Sequence, residues 1–239
     1  MHEVVLESPN LNALSMATIT ALRDELRRAK GEPLLLRGAG RAFSAGLDLG
    51  EVATLQGESR LAFLTALDCL VLELFTYPGP TVAWVNGHAI AGGCILALAC
   101  DHRVAAHAPQ IKIGLTEVAL GVAFPPAPLA VVRHRVPQHR VDEVVLGARL
   151  YSPSEALDRG LVDELAGDDG ERARSCLDAL AAHPAAGYAQ AKAALRGPIA
   201  AEAATSRERF FAECLRFWSD PALAERIAAR LGKGKKKPR

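Results

Sequence analysis

The spacing of apolar positions changes along the chain, and each change marks an element. Val4, Val5 and Leu6 fall in a short run, Glu3–Glu7, that reads as a strand closed by a turn at Pro9-Asn10. Ile19, Leu22 and Leu26 then recur at helical spacing behind Ser15, which can cap the helix, and Gly31 ends the pattern. Pro33–Gly38 and Thr81–Val85 are short continuous apolar runs bounded by glycine and proline, the pattern of buried strands. Between them Phe63, Leu64, Leu67, Leu70, Val71, Leu74 and Phe75 make one apolar face, predicting a helix over Leu61–Tyr77 that Pro78-Gly79-Pro80 stops. Gly92–Ala99 reads as a short helix of small and apolar residues, and Asp101–Ala105 and Gln110–Ile113 as two further strands.

Up to about residue 114 strands and helices alternate, which suits an α/β architecture. From Pro128 the patterning turns helical, with helices expected over Leu129–Arg135, Arg140–Leu146, Pro153–Arg159, Gly170–Ala182, Ala185–Leu195 and Pro198–Trp218. Only the strand-like Leu161–Leu165 interrupts them. No linker or repeat divides the chain, so residues 1–182 are expected to form one core on which a helical region, 183–239, packs. Phe210, Phe211, Cys214, Leu215, Phe217 and Trp218 are too apolar for a free helix face and call for core packing or a subunit contact.

The 239 residues are 50% hydrophobic and 23% charged, ordinary globular values, and their formal net charge of +1 gives no reason to expect nucleic-acid or membrane binding. The one concentrated charge is the tail Lys233–Arg239, expected to be solvated and disordered, with a phosphate contact as the sharper alternative. Cys69, Cys94, Cys100, Cys176 and Cys214 form no CxxC pair and follow no secretory signal, so buried reduced thiols and a cytoplasmic location are expected. No Cys/His cluster has zinc-ligand spacing, so no metal site is expected.

Two glycine-containing turns carry the candidate chemistry. Ala45-Gly46-Leu47 follows the second strand, and Ala91-Gly92-Gly93 opens the Gly92–Ala99 helix. Backbone N–H groups at a helix start have no partner within the helix, and two that converge bind a developing oxyanion strongly. Glycine lets a substrate approach Gly92, although taken alone Gly92-Gly93 reads first as tight strand–helix packing and Ala45-Gly46-Leu47 as a turn after a strand. Asp48 can cap the segment after the first turn. Glu117 lies among apolar neighbours, where its pKa would rise toward neutrality and make it a usable base; alone it also reads as a surface carboxylate at a helix start. Two amides and one base together make and quench an enolate.

These motifs, in this order, resemble the enoyl-CoA hydratase/isomerase (crotonase) superfamily along nearly the whole chain. The resemblance rests on Asn12-Ala13-Leu14, the run Gly40–Leu49, Asn86–Cys94, Cys100-Asp101-His102-Arg103, Glu117, Ala148–Ala156 and Gly160–Asp163. It implies a superhelix of repeated ββα turns with a helical C-terminal trimerisation region, a homotrimer or dimer of trimers, and an acyl-CoA thioester substrate with no separate cofactor. By the match, the N–H groups of Leu47 and Gly92 form the oxyanion hole. Ala45, Asp48 and Leu49 would lie along the CoA moiety and Ala13 near its adenine end. Gly93, Ile95, Val122 and Phe124 would line the substrate pocket, with Phe124 a wall or plain packing. Residues before Asn10 cover less of the first ββ unit than the family pattern has.

The departure at Ile95 selects a branch. Hydratases of the family are similar to one another in placing a glutamate there, beside the one that Glu117 matches. An apolar residue followed by a single glutamate resembles the Δ3,Δ2-enoyl-CoA isomerase branch. The expected reaction moves a double bond from C3 to C2, with Glu117 taking a proton from C2 and returning it at C4. Hydration, decarboxylation, thioester hydrolysis or silent acyl-CoA binding remain the alternatives.

Overall fold

The computed structural model describes residues 1–167 and 169–234, with side chains to residue 230. The chain opens with β1 (His2–Leu6), α1 (Pro9–Asn12), α2 (Met16–Ala29), β2 (Leu34–Gly38), β3 (Ala42–Ser44), α3 (Leu49–Thr54) and α4 (Gly57–Phe75). It continues through β4 (Thr81–Val85), β5 (His88–Ile90), α5 (Gly92–Ala99), β6 (His102–Ala106), β7 (Ile113–Gly114) and α6 (Glu117–Leu120). The remaining elements are α7 (Pro126–Arg135), α8 (Val141–Gly147), α9 (Pro153–Asp158), β8 (Glu164–Ala166), α10 (Glu171–Ala181), α11 (Ala185–Trp218) and α12 (Pro221–Gly234).

Strands β1-β2-β4-β6-β8 form one parallel sheet and β3-β5-β7 a second, smaller parallel sheet. The units β4-β5-α5 and β6-β7-α6 are successive ββα turns, the architecture that the resemblance implies. The short strands β3 and β5 were not separate in the apolar pattern. Three residues are too few to show a period of two. Strand β8 starts at Glu164 rather than Leu161, because the ladder to β6 begins at Val104 opposite Glu164; Leu161 and Val162 are buried outside it.

Helix α2 starts where expected, with Ser15 accepting the Thr18 N–H at 3.1 Å. Helix α4 begins at Gly57, a turn earlier than its apolar face suggests, because Gln56 and Ser59 close a capping box. The expected break between Leu195 and Pro198 is absent: α11 runs unbroken with Pro198 inside. A proline there removes the bond to the Ala194 carbonyl and costs about 3 kcal/mol. Tertiary anchors on the preceding turns offset it. Lys192 Nζ donates to Gly79 O and Asp101 Oδ2, Arg196 Nη1 donates to Phe75 O, and Tyr188 Oη donates to Asp101 Oδ2, all at 2.7–2.8 Å. Helix α11 lies along α7 and α4.

Two other readings change. Helix α12, absent from the apolar pattern, packs on α3 and α6. Cys94 and Cys100 are buried, but Cys69, Cys176 and Cys214 are only half-buried; all five are free thiols. The basic tail lies outside the described residues, apart from the backbone of residues 233–234 at the end of α12. No helix among the described residues is long and apolar enough to cross a membrane.

Candidate active site

One donor arises from a loop gripped on both sides. Asn12, buried at the end of the left-handed turn α1, donates through Nδ2 to Ala39 O at 2.9 Å and Ala42 O at 2.8 Å, while Ser44 Oγ donates to Asn12 O at 2.8 Å. The Leu14 N–H then bonds Gly46 O, and the Asp48 N–H bonds Leu14 O. These two bonds flank Leu47 and leave its N–H without a partner among the described residues. Asp48 Oδ1 accepts the Glu51 N–H at 3.1 Å, capping α3, and so holds the loop from its far side.

The other donor lies against this loop. Gly92 is the first residue of α5, and its N–H has no partner among the described residues. A Cβ on Gly46 would sit 2.7 Å from Ile90 O and 3.2 Å from Gly92 N, and Gly46 has φ +85°, so only glycine fits. Gly93 meets the same limit, since a Cβ there would lie 2.3 Å from Ser44 O. The glycines thus bring the Leu47 and Gly92 segments into contact, the condition for two amides to address one oxygen.

Glu117 is the first residue of α6, carried directly behind β7. The residue is half-buried, yet its Oε2 is buried with no hydrogen-bond partner among the described residues. Burial pushes its pKa up to about 7, against the pull of its own and the Thr116 backbone N–H groups and of Arg230. An unpaired carboxylate with that proton affinity can accept and return a proton near neutrality. Cys94, behind it, is pushed up to about 12 by burial and stays a thiol.

Leu47, Gly92 and Glu117 line one cavity of ≈ 70 Å³. Ala45, Leu49, Ile95, Val122 and Phe124 line it too. Of the other residues expected at the site, Gly93 lies beneath the cavity against Ser44, and Asp48 faces α3 and Asn10. Ala13, expected near the adenine end of CoA and not at the reacting carbons, is buried with its N–H on Pro9 O and its carbonyl accepting from Ser8 Oγ, and it is not among the residues lining this cavity.

Among the lining residues that escaped the sequence reading are three from distant elements: Leu67 from α4, Trp218 at the end of α11 and Arg230 from α12. Trp218 Nε1 donates to Ala123 O at 3.0 Å, Arg226 Nε donates to Leu120 O at 2.7 Å, and Arg230 Nη2 donates to Thr116 Oγ1 at 3.3 Å. Helix α12 therefore joins the element bearing Glu117 to α3, which follows the Leu47 loop. The one available signal was the spacing of Leu223, Ile227 and Arg230 behind Pro221, an amphipathic pattern at the end of the chain. Among the residues lining the cavity Glu117 is the sole carboxylate and Arg230 the sole cationic side chain.

A family model described as enoyl-CoA hydratase/isomerase matches residues 1–213. The mouse (Mus musculus) protein "Enoyl-CoA delta isomerase 1, mitochondrial" is 32% identical over 169 residues, 69% of this chain and 58% of its own length. A crystal structure of human mitochondrial delta3-delta2-enoyl-CoA isomerase superposes with a TM-score of 0.91 at 26% identity, covering 98% of this chain and 95% of that one. An enoyl-CoA hydratase from Bacillus halodurans superposes with a TM-score of 0.83, also at 26% identity, over 95% of each chain. By this match and by its ββα architecture, the chain belongs to the enoyl-CoA hydratase/isomerase family.

Proposed function

We propose that this chain shifts a double bond in an acyl-CoA thioester from C3 to C2. The thioester oxygen sits between the N–H groups of Leu47 and Gly92. Glu117, ionised, takes a proton from C2. The electron pair moves onto the oxygen as a dienolate, whose charge the two amides stabilise. Protonated Glu117 then gives its proton to C4, and the double bond re-forms between C2 and C3. Removing one such amide donor from an oxyanion hole costs about 3–4 kcal/mol of barrier, and one acid–base group contributes roughly 10²–10⁴-fold.

The observation that carries the reading is that Glu117 is the only acid among the residues lining a mostly apolar cavity, whose other polar side chains are Thr116 and Arg230. Hydration needs a water held and deprotonated, which by the family resemblance takes a second glutamate at Ile95. Ile95 is buried and lines the cavity, so it excludes water instead. The apolar faces left on the monomer, including Leu195 and Phe217 of α11, support a trimer built through the helical region.

Product analysis tests the reaction. With a 3-enoyl-CoA the chain should yield the 2-enoyl-CoA, and with a 2-enoyl-CoA no 3-hydroxyacyl-CoA. Glu117→Gln should lower turnover by at least 10²-fold while acyl-CoA still binds. Hydrated product, or full turnover by Glu117→Gln, would overturn the proposal.

A further inference from the structure

We propose that the edge of the large sheet carries a binding site for a thiophilic divalent cation, zinc above all, built from His102, Glu164 and Cys176. The three residues share nothing with the catalytic cavity. They line a separate cleft of ≈ 260 Å³ between the β6/β8 edge and α10, with His183 on its rim. Their ligand atoms all lie within 4.8 Å of one another. His102 Nε2 is 2.9 Å from Glu164 Oε1, and Cys176 Sγ is 3.7 Å from the same oxygen. Zinc bonds of ~2.0–2.3 Å at a tetrahedral angle put ligand atoms roughly 3.3–3.7 Å apart, so shifts of about an ångström or less complete the triangle.

The surroundings have the form of support for a metal ligand. His102 Nδ1 faces Asp163 Oδ2 at 3.5 Å, which turns Nε2 toward the cleft. Asp163 is itself fixed by the backbone N–H of Arg103 and by the Arg103 guanidinium. A carboxylate behind an imidazole orients the ring and raises its basicity toward a metal. A thiol, an imidazole and one carboxylate suit zinc better than magnesium or calcium, which take oxygen ligands. Three protein ligands leave a fourth position open to the cleft, for water or His183.

The plain alternative is an ion cluster, since Arg172 Nε donates to Glu164 Oε2 at 2.6 Å and Arg172 Nη2 to Oε1 at 3.0 Å. The Arg172 side chain is 52% exposed, and an exposed pair of this kind contributes about 0–1 kcal/mol. It can withdraw to Oε2 and leave Oε1 for a cation. The two readings therefore disagree about Arg172: a guanidinium beside the site repels the metal, whereas in an ion cluster it is the partner that matters.

The test uses the full chain without an affinity tag, stripped with chelator and titrated calorimetrically with zinc. Wild type should bind one equivalent. Cys176→Ser and His102→Gln should each weaken binding at least tenfold, and Arg172→Met should tighten it. Cobalt(II) should give a thiolate charge-transfer band that Cys176→Ser abolishes, and zinc should raise the Tm of wild type but not of Cys176→Ser. Turnover of acyl-CoA by Cys176→Ser should equal that of wild type, which keeps this site separate from the proposed reaction. Absence of zinc binding by wild type, equal affinity in Cys176→Ser, or weaker binding in Arg172→Met would overturn the proposal.

Discussion

Glu117 shows how one side chain couples stability to reactivity. Its pKa of about 7 lies above its ordinary value of 4.5. Between those values the folded chain binds more protons than the unfolded chain, so this group lowers stability as pH rises through the window. Glu117→Gln removes that loss. It should raise stability by about 1–3 kcal/mol at pH 8, the lower part of the range reflecting partial exposure, and change little at pH 4; urea unfolding at the two values checks this. Turnover needs the ionised form, so kcat/KM should rise with pH and level off above about pH 7. Arg230 favours the carboxylate, so Arg230→Met should move the acid limb to higher pH, at a cost of about tenfold in rate below the limb for each unit moved, and Arg230→Lys should restore part of it. An unmoved limb in Arg230→Met would mean the guanidinium serves only Thr116.

At the scale of elements, α11 and α12 matter because they act across long stretches of sequence. Pro198 interrupts the hydrogen-bond ladder of α11, which the anchors at Lys192 and Arg196 tie to the body of the chain on the preceding turns. Pro198→Ala should therefore stabilise the chain, by about 1–3 kcal/mol in chemical denaturation, without altering catalysis. A neutral or destabilising result would show that the ring itself packs productively. Helices α2 and α4 were legible because each repeats an apolar period over several residues, and β2, β4 and α5 because each holds a continuous run of apolar or small residues. The break within α11 was misread because local chemistry at Gly197-Pro198 does terminate helices unless distant partners intervene. Helix α12 escaped because its apolar positions Leu223 and Ile227 are few, and their partners lie in α3 and α6.

For the molecule as a whole, the Asp101 carboxylate is the tie between sheet and C-terminal helices. It is 9% exposed and pairs at 2.8 Å with both Lys192 and Arg196, whose side chains are buried as well. Burial holds Lys192 down at about 8 despite that partner. Removing the anion strands two cations, so Asp101→Asn should cost about 3–5 kcal/mol, with Lys192 relieving part by deprotonating; a loss under about 1 kcal/mol in thermal or urea unfolding would refute the tie. The chain's linear order carried the alternation of strands and helices, the glycines at 46, 92 and 93 and the lone glutamate, because turns, caps and apolar periods are short-range features that each stretch of chain fixes for itself. Folding alone decided that the amides of Leu47 and Gly92 are left without partners among the described residues, and that Trp218 and Arg230 come to line the cavity. Those outcomes depend on contacts between residues far apart in the sequence, and no local pattern encodes which distant atom arrives.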